Sequence, residues 1–215
     1  MANFWQQLET TVPNDTSVND DRLIMLCDGV FAIAITLLVL DIRLPDDSTH
    51  FQENLPAFFL KILFYFVTFL VIARYWMLHR RIMQQIQRLD RPFVWLTLLF
   101  LAFVALIPAT ITVVGEFGNH AEADVIYTLS LVVCGFSAAA LWIYASWKHR
   151  LIDPLLDQRI IRFRTMSTLT APLYFLLSLL LLFIPFFSNN PPLIFLSWLF
   201  IGIPNGILKG IDRSQ

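Results

Sequence analysis

Apolar residues run along this chain in blocks of about 20, separated by short polar and charged segments. The blocks cover 23–44, 56–78, 92–114, 125–147, 166–187 and 192–208. A helix of that length, rising about 1.5 Å per residue, matches the roughly 30 Å hydrocarbon layer of a bilayer. The pattern therefore predicts an all-α integral membrane protein with six transmembrane helices. Lys61 and Arg74 sit near the ends of the second block, where long side chains reach headgroups. The sixth block is short and interrupted by Gly202, Pro204 and Gly206, which makes five spans the rival count.

Charge orients the spans. Arg80, Arg81, Arg88 and Arg91 lie between the second and third blocks, and Lys148, Arg150, Arg159, Arg162 and Arg164 between the fourth and fifth. Lys209 and Arg213 follow the sixth. The opposite loops hold Arg43 against Asp46, Asp47, Glu53, Glu116, Glu122 and Asp124. Basic loops stay cytoplasmic, so both termini are expected inside, which fits an even number of spans. Residues 1–21 carry no Lys or Arg and several acids, unlike a basic leader, and read as a cytoplasmic segment. Trp142 and Trp147 read as interfacial anchors, and His50, His120 and His149 as solvated loop residues. The stretch 153–163 reads equally as a short amphipathic helix on the inner leaflet or as a basic loop. Pro108, Pro172, Pro185 and Pro204 are candidate kink positions.

Composition sharpens this reading. The chain is 57% hydrophobic and 14% charged, well outside the roughly 25% charge of a soluble domain. A net charge of −1 implies no nucleic-acid partner. Cys27 and Cys134 both lie inside apolar blocks, which argues against a disulfide or a metal site. The spans contain no nucleophile–base set, paired carboxylates or metal-ligand cluster, so no enzyme and no cofactor are expected.

The first block differs from the rest because it carries Asp28 well inside the apolar stretch. An ionisable group at that depth is costly unless paired, and marks either a functional site or a satisfied structural aspartate near the interface. At about 100° per residue, Ile33, Leu37, Leu40, Leu26 and Gly29 fall on one narrow stripe, with Thr36 at its flank. Asp28 points roughly 140° away from that stripe. Taken alone, such a stripe is most often lipid-facing or packing surface. Arg22 and Asp28 project about 120° apart and need partners on other helices.

The run Arg22-x-x-x-Leu26-Cys27-Asp28 and the apolar residues after it resemble the Arg-x-x-x-Phe-Ser-Asp signature that opens the first span of the transmembrane protein 175 family. Trp76-x-x-His79, at the end of the second block, is similar to that family's Trp-x-x-His element. Leu26 stands where the family has Phe, and Cys27 where it has Ser. A thiol is the weaker hydrogen-bond donor, so a polar network through Cys27 is looser.

The resemblance implies a single-repeat, prokaryotic-type potassium channel that assembles as a homotetramer around a pore lined by the first helix. Its channel unit would cover 22–208, with a tail at 209–215. Such channels lack the Thr-Val-Gly-Tyr-Gly filter, and no such run occurs here. The resemblance assigns the constriction to Ile33, Leu37 and Leu40, and a part in ion preference to Thr36. It assigns an inter-helix polar network to Arg22, Cys27, Asp28, Trp76 and His79. Expected partners are further copies of the chain, the lipid of the cell membrane and monovalent cations, with potassium as permeant ion. Asp41, Asp46 and Asp47 would gather cations at the outer mouth or serve as ordinary solvated acids. The alternative is a secondary transporter or exporter with Asp28 as coupling site, although the chain lacks the internal repeat typical of that class. A passive membrane scaffold, with the stripe as an oligomer seam, is the third class.

Overall fold

The structure is a computed structural model, and it describes residues 15–42, 51–117 and 120–184 together with Phe195 and Trp198. The chain forms α1 (Asp15–Leu37), which tightens into a 3₁₀ turn over Leu38–Asp41, then α2 (Phe51–Met83) and α3 (Arg91–Phe117). These are followed by α4 (Ala121–Ser146) and α5 (Gln158–Ser178), the latter ending in a 3₁₀ turn over Leu179–Phe183. Each of the five is long and apolar enough to cross a bilayer. Among the described residues the only extended pairing is one bridge, Ile86 with Ile152. The expected sixth span lies outside the described residues apart from Phe195 and Trp198, as do Arg43, Asp46, Asp47, His50, Pro185, Pro204 and the tail at 209–215. The same holds for residues 1–14 and for the side chain of Asp41.

Helix α4 is the centre of the bundle. More than half of its most apolar stretch is buried, because it packs on α3 along one side and on α5 along the other. Small residues make the second contact possible. A Cβ added at Gly135 would sit 2.8 Å from Cβ of Pro172 on α5, closer than real atoms approach. Neither the proline ring nor the helix backbone offers a flexible end that could move aside. Gly135→Ala is therefore expected to destabilise the protein by roughly 1–3 kcal/mol through overpacking, read as a lower melting temperature in detergent.

Polar side chains add specific ties between the apolar faces. The Thr68 and Tyr127 hydroxyls meet at 2.8 Å, and the Tyr75 hydroxyl donates to the Leu131 carbonyl at 2.7 Å, both joining α2 to α4. Thr110 and Ser130 meet at 2.9 Å between α3 and α4, and Trp142 Nε1 donates to Thr165 Oγ1 at 3.0 Å between α4 and α5. Interhelical bonds of this kind contribute about 0.6 kcal/mol each on average. Trp142 is thus not the interfacial anchor the sequence suggests but a core residue, 1% exposed, whereas Trp147 is exposed. Phe195 and Trp198 pack on Phe64, Tyr127 and Phe175, and Trp198 Nε1 donates to Ser178 at 3.2 Å. This part of the last apolar block lies in the core.

The two basic loops, 84–90 and 147–157, clasp one another. After Ser146 the chain reverses through Lys148 and His149, both left-handed at φ 52° and 53°, and returns Leu151 and Ile152 to the core. The Gln87 N–H donates to the Leu151 carbonyl, and Arg88 Nε to the Arg150 carbonyl. Asp90 is the hub. One carboxylate oxygen accepts the Phe93 N–H, capping α3; the other accepts from the Tyr144 hydroxyl at 2.7 Å and from Arg150 Nε at 3.0 Å. The stretch 153–163 forms no separate helix. Asp153 accepts the Leu155 N–H in a turn, Asp157 caps α5 through the Arg159 N–H, and the remainder is the first part of α5.

Partial burial pushes the Asp90 carboxyl up, but Tyr144, the Phe93 N–H and Arg150 together outweigh it and hold the group below the ordinary carboxylate range. A depressed native value means that the clasp stabilises above the unfolded carboxylate pKa of about 3.9 and is lost as pH falls through the native one. Asp90→Asn should cost about 1 kcal/mol at pH 7, a modest amount because the Arg150 partner is half exposed. The gap between parent and variant should close in acid, as thermal melts at a series of pH values would report.

Candidate functional site

Helix α1 has two apolar faces with different fates. Leu23, Cys27, Phe31, Ala34 and Leu38 recur at helical spacing and are buried against α2 and α3. On the other side Ile33 is 60% exposed, Leu37 44% and Leu40 64%, with Leu26, Gly29 and Thr36 exposed on the same side. The 3₁₀ turn alters the angular arithmetic at the outer end. At about 120° per residue, Leu40 falls directly over Leu37 rather than some 60° to one side. Ile33, Leu37 and Leu40 therefore succeed one another along α1 at intervals of about 6 Å. Thr36 Oγ1 donates to the Ile33 carbonyl at 2.9 Å. With its proton directed into the helix, its lone pairs are left toward the exposed side.

At the other end of α1, neighbouring residues reach different partners on α2. Trp76 Nε1 donates to Asp28 Oδ1 at 2.8 Å, and Cys27 Sγ lies 3.8 Å from His79 Nε2. Trp76 and His79 are three positions apart, so one face of α2 presents both. Their surroundings differ. His79 is 3% exposed, stacked on Phe100 at 5.5 Å and 16°, with Phe31 beside it. Asp28 is exposed, and the Arg80 guanidinium lies 5.6 Å from the Trp76 ring centre. Cys27, Asp28, Trp76, His79 and Arg80 border a cavity of about 350 Å³. Arg22 is not drawn in: it is exposed and makes no hydrogen bond or ion pair among the described residues.

Two acidic residues carry more than their sequence positions suggest. Asp90 reads as an ordinary loop acid, and only the pairing of two distant loops makes it a hub. Asp124 reads as an outer loop acid, but α4 begins at Ala121 and takes it inside. It is fully buried, and neither carboxylate oxygen has a hydrogen-bond partner. The Thr128 hydroxyl one turn further on is likewise unpartnered. An apolar block beginning one residue after an acid was the available signal.

Residues 22–108 match the family described as "Endosomal/lysosomal potassium channel TMEM175". A potassium channel of Streptomyces collinus is 36% identical over 143 residues, covering 63% of this chain and 69% of that protein. A potassium channel of Chamaesiphon minutus is 32% identical over 143 residues, covering 64% of this chain and 70% of that protein. Among solved structures, a crystal structure of a lysosomal potassium-selective channel TMEM175 homolog from Chamaesiphon minutus superposes with a TM-score of 0.70 at 25% identity. That match spans 87% of this chain and 98% of the other.

Proposed function

This chain belongs to the TMEM175 family, and on that premise we propose that it is a potassium-preferring cation channel of the cell membrane. In this reading four copies assemble around a central axis, and the exposed face of α1 lines the path. Both termini are cytoplasmic, following the basic loops. Ile33, Leu37 and Leu40 form successive apolar rings that resist water, since nothing there replaces a cation's hydration shell. Thr36 supplies the polar flank. Its outward lone pairs meet a partly dehydrated cation with a weak field, which favours potassium over the more tightly hydrated sodium. No backbone filter of the Thr-Val-Gly-Tyr-Gly kind is involved.

The observation that carries the reading is the division of α1. One face is buried within the protomer while Ile33, Leu37 and Leu40 stay open outside it, as do Met25 and Val39 beside the stripe. Outward exposure alone would also suit lipid. The polar Thr36 beside the stripe, and relatives named potassium channels, favour a shared axis. Arg22, open on the protomer, is available to a neighbouring copy. Asp28, Trp76, Cys27 and His79 brace α1 against α2 and hold the lining in register. Potassium efflux from proteoliposomes tests the proposal. Efflux down a potassium gradient with no coupled ion, undiminished at high concentration, is expected. A requirement for a proton or sodium gradient would instead make Asp28 a coupling site.

A further inference from the structure

At the end of the bundle that carries the basic loops, a cavity of about 270 Å³ opens between α2, α4 and α5. Two guanidiniums line it, Arg81 from the last turn of α2 and Arg164 from α5. Both are positive, and neither makes an ion pair with a carboxylate among the described residues. Arg164 is only partly exposed and lies 5.5 Å from the Trp142 ring centre, so packing holds it in place. Gln84 and Gln85 add amide donors to the rim. Leu78, Ile82 and Phe163 give the cavity an apolar wall beside this polar side.

Arg81, exposed at the mouth, and Arg164, half-buried behind it, give the cavity two positive charges and no negative one. Guanidiniums present paired donors that match phosphate oxygens, and they do so better than ammonium groups. We infer that this cavity binds a phosphate-bearing anion, held between Arg81 and Arg164 with the Gln84 and Gln85 amides at its edge. A phospholipid headgroup from the adjacent leaflet and a soluble phosphate both have this chemistry. The site lies apart from the exposed face of α1, and so does not depend on that face lining a pore.

Delipidated full-length protein in neutral detergent provides the test, with two ligand arms. In the first, phosphatidylglycerol is titrated and bound lipid counted by native mass spectrometry, with phosphatidylcholine as comparison. In the second, inorganic phosphate is titrated and the melting temperature followed. Parent protein should bind phosphatidylglycerol in preference to phosphatidylcholine, or melt higher in phosphate than in equal chloride; the responding arm identifies the source. Arg81→Gln/Arg164→Gln should weaken that response by roughly tenfold or more, the loss expected for charge-assisted hydrogen bonds. Without anion this variant should melt close to the parent, because the contact of Arg164 with Trp142 contributes little at a partly exposed site; a purely structural arginine pair would lower the melting temperature sharply. Arg164→Lys, which keeps the charge but loses the fork, should weaken binding several-fold and covers failure of the double variant to fold. No response in either arm, or equal responses from parent and variants, would overturn the assignment.

Discussion

Leu37→Asn should raise unitary cation conductance several-fold in a planar bilayer, while Leu38→Ala should leave conductance unchanged and lower the melting temperature. The two residues are adjacent, but the helix turns one outward and the other into the core: Leu37 is 44% exposed and Leu38 3%. If the exposed side faces a shared axis, an amide at position 37 wets an apolar ring and lowers the cost of ion entry. Ile33→Asn should act in the same direction, and both should weaken preference for potassium over sodium. Thr36→Ala should conduct while losing part of that preference, since it removes the polar flank and leaves the rings. Leu38 packs with Phe31 and Ala34 on the buried face, so truncation to Ala leaves a cavity costing about 2–5 kcal/mol. Equal conductance from Leu37→Asn and its parent would mean that this face looks at lipid.

His79→Ala should lower thermal stability far more than Asp28→Ala, although both residues belong to the same contact between α1 and α2. The histidine fills an aromatic pocket between Phe31 and Phe100. Removing its ring enlarges the cavity it borders and strips Phe31 and Phe100 of a packing partner, at a cost of about 3 kcal/mol, and takes away the neighbour of Cys27. Asp28 sits at the surface, and its bond from Trp76 competes with water in the isolated protomer. Asp28→Ala should therefore cost about 1 kcal/mol there, and Asp28→Asn less, because it keeps an acceptor for the indole. A larger loss from Asp28→Ala in the assembled protein than in the protomer would reveal a second partner across a subunit interface, with Arg22 the first residue to examine. Normal stability of His79→Ala combined with altered ion preference would instead put the histidine in the conduction path.

The spans were legible because a bilayer demands long apolar stretches, but their ends were not. Hydrophobicity marks the hydrocarbon slab, whereas backbone hydrogen bonding continues past it. Thus α2 runs on through Arg80 and Arg81 to Met83, and α5 begins at Gln158, well before the apolar block. Family resemblance singled out Ile33, Leu37 and Leu40, but the stripe they share with Leu26 and Gly29 followed from helical periodicity. The shift of Leu40 onto Leu37 did not, since nothing in Leu38–Asp41 announces a 3₁₀ turn. The meeting of Cys27 and Asp28 with His79 and Trp76, across 52 and 48 positions, could be anticipated only through family resemblance. Asp90 and Arg150, 60 positions apart, lay beyond local pattern altogether. Trp142 is not legible in the sequence, because a tryptophan near a span end looks the same whether its N–H meets a headgroup or, as here, Thr165.

Conduction of potassium through a pore lined by the exposed face of α1 is tested most directly by single-channel recording. Purified protein would be placed in a planar bilayer with potassium on one side and sodium on the other, and position 37 probed in a Leu37→Cys variant with a water-soluble thiol reagent. Discrete current steps are expected, with a reversal potential displaced toward potassium and block of the variant but not of the parent. An absence of unitary steps, or currents from the variant that the reagent leaves untouched, would contradict it.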